Sequence, residues 1–404
     1  MKCVLAILVD AFRYDYLSEK YTPFLCSICK QGFYAPLRPI LGFSDAIRAT
    51  VFTGTYPNVN NYWIMYRYGP ESSPFKIFKT LKFIDYIPIG LLKRGIKFVL
   101  SATLCKFLAE IYDYHELTVR NIPFNIIHFF DFTLKKSMLF PRVMNDLPTL
   151  FDVLRENNVK FAYLDSTKLG RKIQHNLRML DPDVQVIIVY LHYLDYAAHR
   201  HGLNSSHFWV QVKSVDETIK SIVNSAKQRF GNKVDVIIFS DHGMVETTEF
   251  LNFERFMRHK KFGEEFLFFL DSTMVRLWYM NPDVKDEVRR LFNNTEYGAF
   301  LSEEEKKKLK INFKHKYYGD DIYLLKPKFS IFPNFISWLK PIAMHAYHPK
   351  YAHQLGIAIF NGRKLESVNQ KIASIELVDI MPTVLDILGL EIPTTCIGNS
   401  LLRH

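Results

Sequence analysis

The sequence predicts an α/β fold, a doubly wound and mostly parallel sheet flanked by helices, and three observations carry that expectation. Short apolar runs rich in β-branched and aromatic residues recur along the chain. Their hydrophobicity is continuous rather than alternating, as it is in strands covered on both faces. Amphipathic helical stretches lie between them, and that alternation is how a doubly wound sheet is built.

The first run is CVLAILV (3–9), and Asp10 follows it at once. KFAYLD (160–165), VQVIIVYL (184–191), VDVIIFS (234–240) and LGIAIF (355–360) supply four more strands. Ahead of VDVIIFS, the stretch 207–230 spaces Val210, Val212, Val215, Ile219, Ile222 and Val223 along one helical face. Two segments break the rhythm. Residues 60–148 are crowded with aromatics and lysines; residues 246–344 carry the run EEEKKKLK and end in KPKFSIFPNFISWLKP. Both are expected to be insertions capping a single catalytic domain that spans 1–404. Neither holds the uncharged run of about 18 residues that a membrane-crossing helix needs.

Composition narrows the class. In 404 residues, 48% hydrophobic against 23% charged excludes a disordered chain. A formal charge of +11 points to an acidic partner, and a phosphate-bearing ligand, nucleic acid and an anionic membrane all qualify. Five cysteines make no disulfide framework, and the lone C-x-x-C of Cys26 and Cys29 reads as buried, idle thiols of a reducing compartment. The opening MKCVLAILVDAF is too short and too poorly flanked for a signal peptide, so it is read as a buried strand and the chain as cytoplasmic.

The chemistry gathers where the strands end. Asp10 follows CVLAILV; Asp241 and His242 follow VDVIIFS in SDHGM; Asp195 and His199 follow VQVIIVYL. The last two are four residues apart, hence on one helical face. His345, in MHAYHP, precedes LGIAIF. Carboxylates with imidazoles suit Zn²⁺, and less tightly Mn²⁺, and six such groups suit two ions. A two-metal site clamps the attacking and leaving oxygens of an in-line displacement at phosphorus. It would also activate Ser44 in GFSDAIRATVFTG, because coordination lowers the pKa of a hydroxyl.

Taken together these residues resemble the alkaline phosphatase superfamily, in its type I phosphodiesterase and nucleotide pyrophosphatase branch. The likeness runs from Asp10 to IELVDIMPTVLDILGL near the C-terminus and omits most of 63–148 and 246–340. It implies an alkaline-phosphatase-like fold and two Zn²⁺ sites, one of Asp195, His199 and His345, the other of Asp10, Ser44, Asp241 and His242. Counting back from Thr53, Gly54, Tyr56 and Pro57, which match the family's T-G-x-Y-P, the nucleophile falls on Ser44. The family's phosphate-binding asparagine would fall near Met65, which leaves Asn60 or Asn61 for that contact. Arg48 offers a bidentate clamp for phosphate oxygens. Serine at the nucleophile keeps phosphomonoesterase and phosphotransferase or mutase chemistry open. A sulfatase reading leaves Asp195, His199 and His345 without a purpose.

The expected reaction is hydrolysis through a phosphoseryl intermediate on Ser44, with a phosphate-ester small molecule or amphiphile as substrate, and not a nucleic-acid polymer. Phe329, Ile331, Phe332, Phe335, Ile336 and Trp338, among Lys326, Lys328 and Lys340, suggest a greasy cationic rim for peripheral contact with a membrane.

Overall fold

Seven strands make the central sheet of the computed structural model, which describes residues 3–231, 234–292, 296–362 and 373–403. They are β1 Cys3–Val9, β2 Phe33–Arg38, β3 Phe161–Asp165, β4 Val186–Leu191, β5 Val234–Phe239, β6 Gly356–Asn361 and β7 Ile375–Glu376. Their order across the sheet is β7-β2-β6-β5-β1-β4-β3. β1 pairs in parallel with β4 and β5, β3 with β4, and β7 with β2. Only β6 runs antiparallel, to β5 and β2. All five expected strands form. Every residue of β1, β4 and β5 is buried, which is why those runs are apolar throughout.

Helices cover both faces. On one side α3 (Ser206–Phe230) lays Val212, Val215, Ile219, Ile222 and Val223 against Leu5, Ile7, Ile187 and Ile238. Val210 does not join them and is 69% exposed. It lies two residues before Val212, roughly 200° around the helix. On the other side α1 (Ser44–Thr53) and the helix Ile380–Leu388 pack Ile47, Val51, Met381 and Val384 against Ala6, Leu8 and Ile237. Cys26 and Cys29 are buried on the helix Pro23–Gln31, and burial pushes the Cys29 thiol up to about 12.

Residues of 60–148 and 246–344 contribute to a further buried core. Strands Phe266–Leu270, Met274–Tyr279, Asp321–Leu325 and Gly298–Phe300 form an antiparallel sheet. Tyr66, Phe75, Phe124 and Phe130 from the first segment share one buried cluster with Phe268, Phe269 and Trp278 from the second. Arg276, with no exposed surface, ties the two: its Nε donates to Asp271 Oδ2 at 2.7 Å and its Nη1 to the Tyr66 carbonyl at 2.8 Å. This core also absorbs the residues expected on a greasy rim. Phe329, Ile331 and Phe335 are buried in it: Phe329–Ile331 pairs with Glu249–Leu251, and the Phe335 ring packs edge-on against Phe269 at 5.2 Å.

Candidate active site

β4, β1 and β5 are neighbours running in one direction, so their carboxyl ends open on one edge of the sheet, where doubly wound folds place ligands. Asp10 leaves the end of β1. Asp241 and His242 lie just past β5. Asp195 and His199 sit on α2 (Tyr193–His201), which starts two residues after β4. His345 comes in by another route: strand Ala343–Met344 pairs with Val245–Glu246 and is thereby held beside the loop that carries His242.

The structure brings these six residues and Ser44 together. His242 Nε2 has Ser44 Oγ at 3.1 Å, Asp10 Oδ1 at 3.2 Å and Asp241 Oδ2 at 3.7 Å. Asp195 Oδ1 is 3.2 Å from His199 Nε2 and 3.7 Å from His345 Nε2. The His242 and His345 rings stack at 3.8 Å, 9° from parallel, so the two sets adjoin. Potential ligand atoms of Asp10, Asp241 and His242 lie within 4.8 Å of one another, as do those of Asp195, His242 and His345. His242 thus reaches both sets, a sharing the sequence did not suggest.

The imidazoles are held in a defined sense. His199 Nδ1 meets the Ala343 carbonyl at 2.7 Å, and His242 Nδ1 meets the Gly243 carbonyl at 2.9 Å. A carbonyl only accepts, so Nδ1 carries the proton in each ring and Nε2 is presented to the cluster. Ser240, buried, pins the loop by donating from Oγ to the His242 carbonyl and accepting from Phe12 N–H. Gly243 is required here: a Cβ would stand 2.2 Å from the His353 carbonyl oxygen. Ala11 (φ 61°) and Ala346 (φ 63°) follow Asp10 and His345 directly, both in the left-handed region that non-glycine residues seldom enter.

Charge is badly balanced without a cation. Asp10 Oδ1, Asp195 Oδ1, Asp241 Oδ2 and His345 Nδ1 are buried atoms with no aligned hydrogen-bond partner. Burial, then the neighbouring Asp10 carboxylate, pushes Asp241 up to about 7. His242 is raised to about 10: burial opposes its charge, but Asp241 and Asp10 outweigh it. Burial and then the His242 ring hold His345 well below the ordinary range. Asp195 is lowered, since the three histidines outweigh its burial. Orphaned carboxylate oxygens converging with oriented imidazole nitrogens are a donor set that fits divalent cations, and cationic charge there would relieve the crowding of Asp10 and Asp241.

Ser44 is the first residue of α1, after extended Phe43, so the free N–H groups of the first turn open beside its hydroxyl. α1 ends at Gly54, in the left-handed conformation. Arg48 lies one turn along from Ser44 on the same face. Its guanidinium sits 5.2 Å over the Tyr190 ring and beside the Tyr163 hydroxyl. There it lines a cavity of about 500 Å³ whose walls include Phe52, Trp63, Phe132, Phe151 and the cationic Arg120, Lys136 and Lys168. Asn61 is placed differently from the sequence expectation. It is exposed, caps the short helix Pro57–Asn60 and binds His315 Nε2 through Oδ1 at 2.9 Å. Asn60 is buried and holds the Thr55 carbonyl and Tyr62 N–H. Neither asparagine lines the cavity. A residue that sequence reasoning missed is Tyr190, whose hydroxyl donates to Asp10 Oδ2. It sits in an apolar strand and looked like core.

Comparison with known proteins bears on the fold and the family. Murine ectonucleotide pyrophosphatase/phosphodiesterase 5, solved as an inactive variant in complex with AMP, superposes with a TM-score of 0.69 at 13% identity, covering 99% of this chain and 97% of that one. The human protein gives 0.67 at 12% identity, with the same coverage. At these identities the likeness is one of fold. An uncharacterized pyrophosphatase/phosphodiesterase of Schizosaccharomyces pombe is 25% identical over 259 residues, 61% of this chain and 45% of the relative, so the match spans less than half of that protein. The family model for type I phosphodiesterase/nucleotide pyrophosphatase matches residues 4–73 and 133–328, more than half of the sequence. The chain belongs to the type I phosphodiesterase/nucleotide pyrophosphatase family.

Proposed function

We propose that this protein is a metal-dependent phosphodiesterase in which Ser44 is the nucleophile. The observation that carries the reading is Ser44 Oγ, 3.1 Å from His242 Nε2, at the mouth of a helix and against two buried carboxylates with orphaned oxygens. Asp195, His199 and His345 would hold one divalent cation and Asp10, Ser44, Asp241 and His242 the other, with Zn²⁺ favoured by the nitrogen and oxygen donors and Mn²⁺ as the alternative. When bound, such ions lower the pKa of the serine hydroxyl and offset charge on the attacking and leaving oxygens.

The residues of the chain do the rest. Ser44 Oγ, its proton released to solvent water, forms a bond to phosphorus as the opposite P–O bond breaks, and the leaving alkoxide takes that electron pair and then a proton from water. The first-turn N–H groups of α1 and the Arg48 guanidinium bind non-bridging oxygens. Water then attacks phosphorus and returns Ser44 to its hydroxyl. The cavity beyond Arg48 takes the organic group. Its aromatic walls and cationic residues suit a nucleotide or lipid-linked phosphodiester, and the complex of a murine protein of the same fold with AMP supports the nucleotide reading. We propose also that segments 60–148 and 246–344 act together as the cap over this cavity.

Ser44→Ala should abolish turnover of an aryl phosphodiester while bound Zn²⁺ or Mn²⁺ stays within a factor of two or so of wild type. Retained turnover would overturn the assignment. Aryl phosphomonoesters run alongside decide between diesterase and monoesterase, and transfer to an added alcohol acceptor would reveal a phosphotransferase.

A further inference from the structure

We propose that the helical segment within residues 77–112 is a docking face for an anionic lipid bilayer, an inference that does not depend on the hydrolase reading. Among the described residues, eleven of the 22 exposed large hydrophobic side chains fall in this stretch of 36 residues, less than a tenth of the chain. Leu91 is 82% exposed, Tyr86 78%, Phe83 63% and Phe98 62%. They are carried on a 3-10 segment, Lys76–Tyr86, and two helices, Gly90–Ala102 and Leu104–Ile111. Those helices are about 20 and 12 Å long at 1.5 Å per residue, too short to cross a bilayer. No helix among the described residues is long and apolar enough to do so. The form is that of a segment lying in the interface. Leu339, 71% exposed, extends the patch, since its neighbour Trp338 packs edge-on to the Phe98 ring at 6.4 Å.

Charge selects the occupant. Residues 76–111 hold seven lysines and arginines against two acids, Asp85 and Glu110. Lys97 is buried and pairs with Asp85 at 3.1 Å, so six cations remain around the apolar surface. A second copy of the chain docked face to face would set those six against six of the same sign, whereas anionic headgroups neutralise them. The face also adjoins the cavity. His115, Glu116, Thr118 and Arg120, just beyond the second helix, line it, and Ser101 Oγ accepts from the Val119 N–H at 3.3 Å, fixing the first helix to that wall. A docked bilayer would therefore lie beside the entrance; this last connection alone rests on the phosphodiesterase reading.

Sedimentation with vesicles of phosphatidylcholine alone, or with a third phosphatidylserine, tests the proposal at low and high salt. Wild type should bind the anionic vesicles, less at high salt, and the neutral ones weakly. The exposed substitutions Leu91→Glu with Phe98→Glu should cut binding at least tenfold while melting temperature and turnover of a soluble aryl phosphodiester stay at wild-type values. Lys79→Glu with Lys82→Glu should remove the preference for phosphatidylserine. Absence of wild-type binding, binding unaltered in the Leu91 and Phe98 variant, or a dimer that this variant dissolves would each overturn it. Loss of turnover in Ser44→Ala with vesicle binding intact keeps the two readings separable.

Discussion

Replacing Tyr190 with phenylalanine removes one hydroxyl and leaves the ring in place, both against Arg48 and in the cavity wall. The hydroxyl stays protonated, because burial and the Asp10 carboxylate both raise its pKa, and it donates to Asp10 Oδ2. Asp10 is 2% exposed and its other oxygen already lacks an aligned donor. The substitution therefore leaves Oδ2 of a buried carboxylate without its donor. A hydrogen bond to a charged acceptor contributes about 1.5–3 kcal/mol. Loss of an outer-shell partner of a metal ligand typically weakens the metal about 10- to 100-fold, or about 1.4–2.8 kcal/mol, and the two figures agree. Competition against a chromophoric chelator measures Zn²⁺ affinity directly, and differential scanning fluorimetry follows the metal-free protein. Tyr190→Phe should bind Zn²⁺ about tenfold or more weakly and lose turnover at limiting metal. Affinity and melting temperature both equal to wild type would refute the placement of Tyr190 behind Asp10.

Other outcomes follow from particular contacts. Arg276→Met strands the fully buried Asp271 and should cost about 3–5 kcal/mol in urea unfolding, while adding Asp271→Leu should recover most of the loss. Gly243→Ala drives a Cβ toward the His353 carbonyl and should cost about 1–3 kcal/mol and weaken cation binding through the displaced His242, which titration calorimetry would show. Burial depresses the pKa of His128, His315, His348 and His353 in the folded state. Their contribution to stability is present above the unfolded value near 6.5 and is lost as pH falls through the lower folded values, so the melting temperature should drop on acidification below that point. His128→Gln, far in sequence from the cluster, should make the drop shallower.

Much of the centre was legible because its residues sit where strands stop. Asp10, Asp241 and His242 each follow an apolar run directly, and Asp195 and His199 follow one within a helical spacing; a parallel sheet then brings them to one edge. His345 was legible as a ligand type, though its support, the pairing of Ala343–Met344 with Val245–Glu246, spans two residues and leaves no pattern. Strand direction was not legible either, since an apolar run reads alike both ways, and β6 turned out antiparallel. β2 was missed because it alternates buried and open residues and contains Pro36. The four-stranded sheet was hidden by its setting. FLFFL and MVRLWY are strand-like, but they stand in a segment whose charged run EEEKKKLK breaks the strand–helix rhythm. Greasy surface was expected near Trp338 and is found chiefly at 77–112, because Phe329, Ile331 and Phe335 serve the core, while the helices bearing Leu91 and Phe98 have no protein layer over them.

Acid quench of the metal-loaded enzyme during turnover of a phosphodiester, followed by peptide mass spectrometry, tests the central claim most directly. The phosphoryl-bearing fragment of the substrate should be found covalently on Ser44 and be absent from Ser44→Ala. Steady turnover with that peptide unmodified, or with the adduct on another residue, would contradict the assignment of Ser44 as nucleophile.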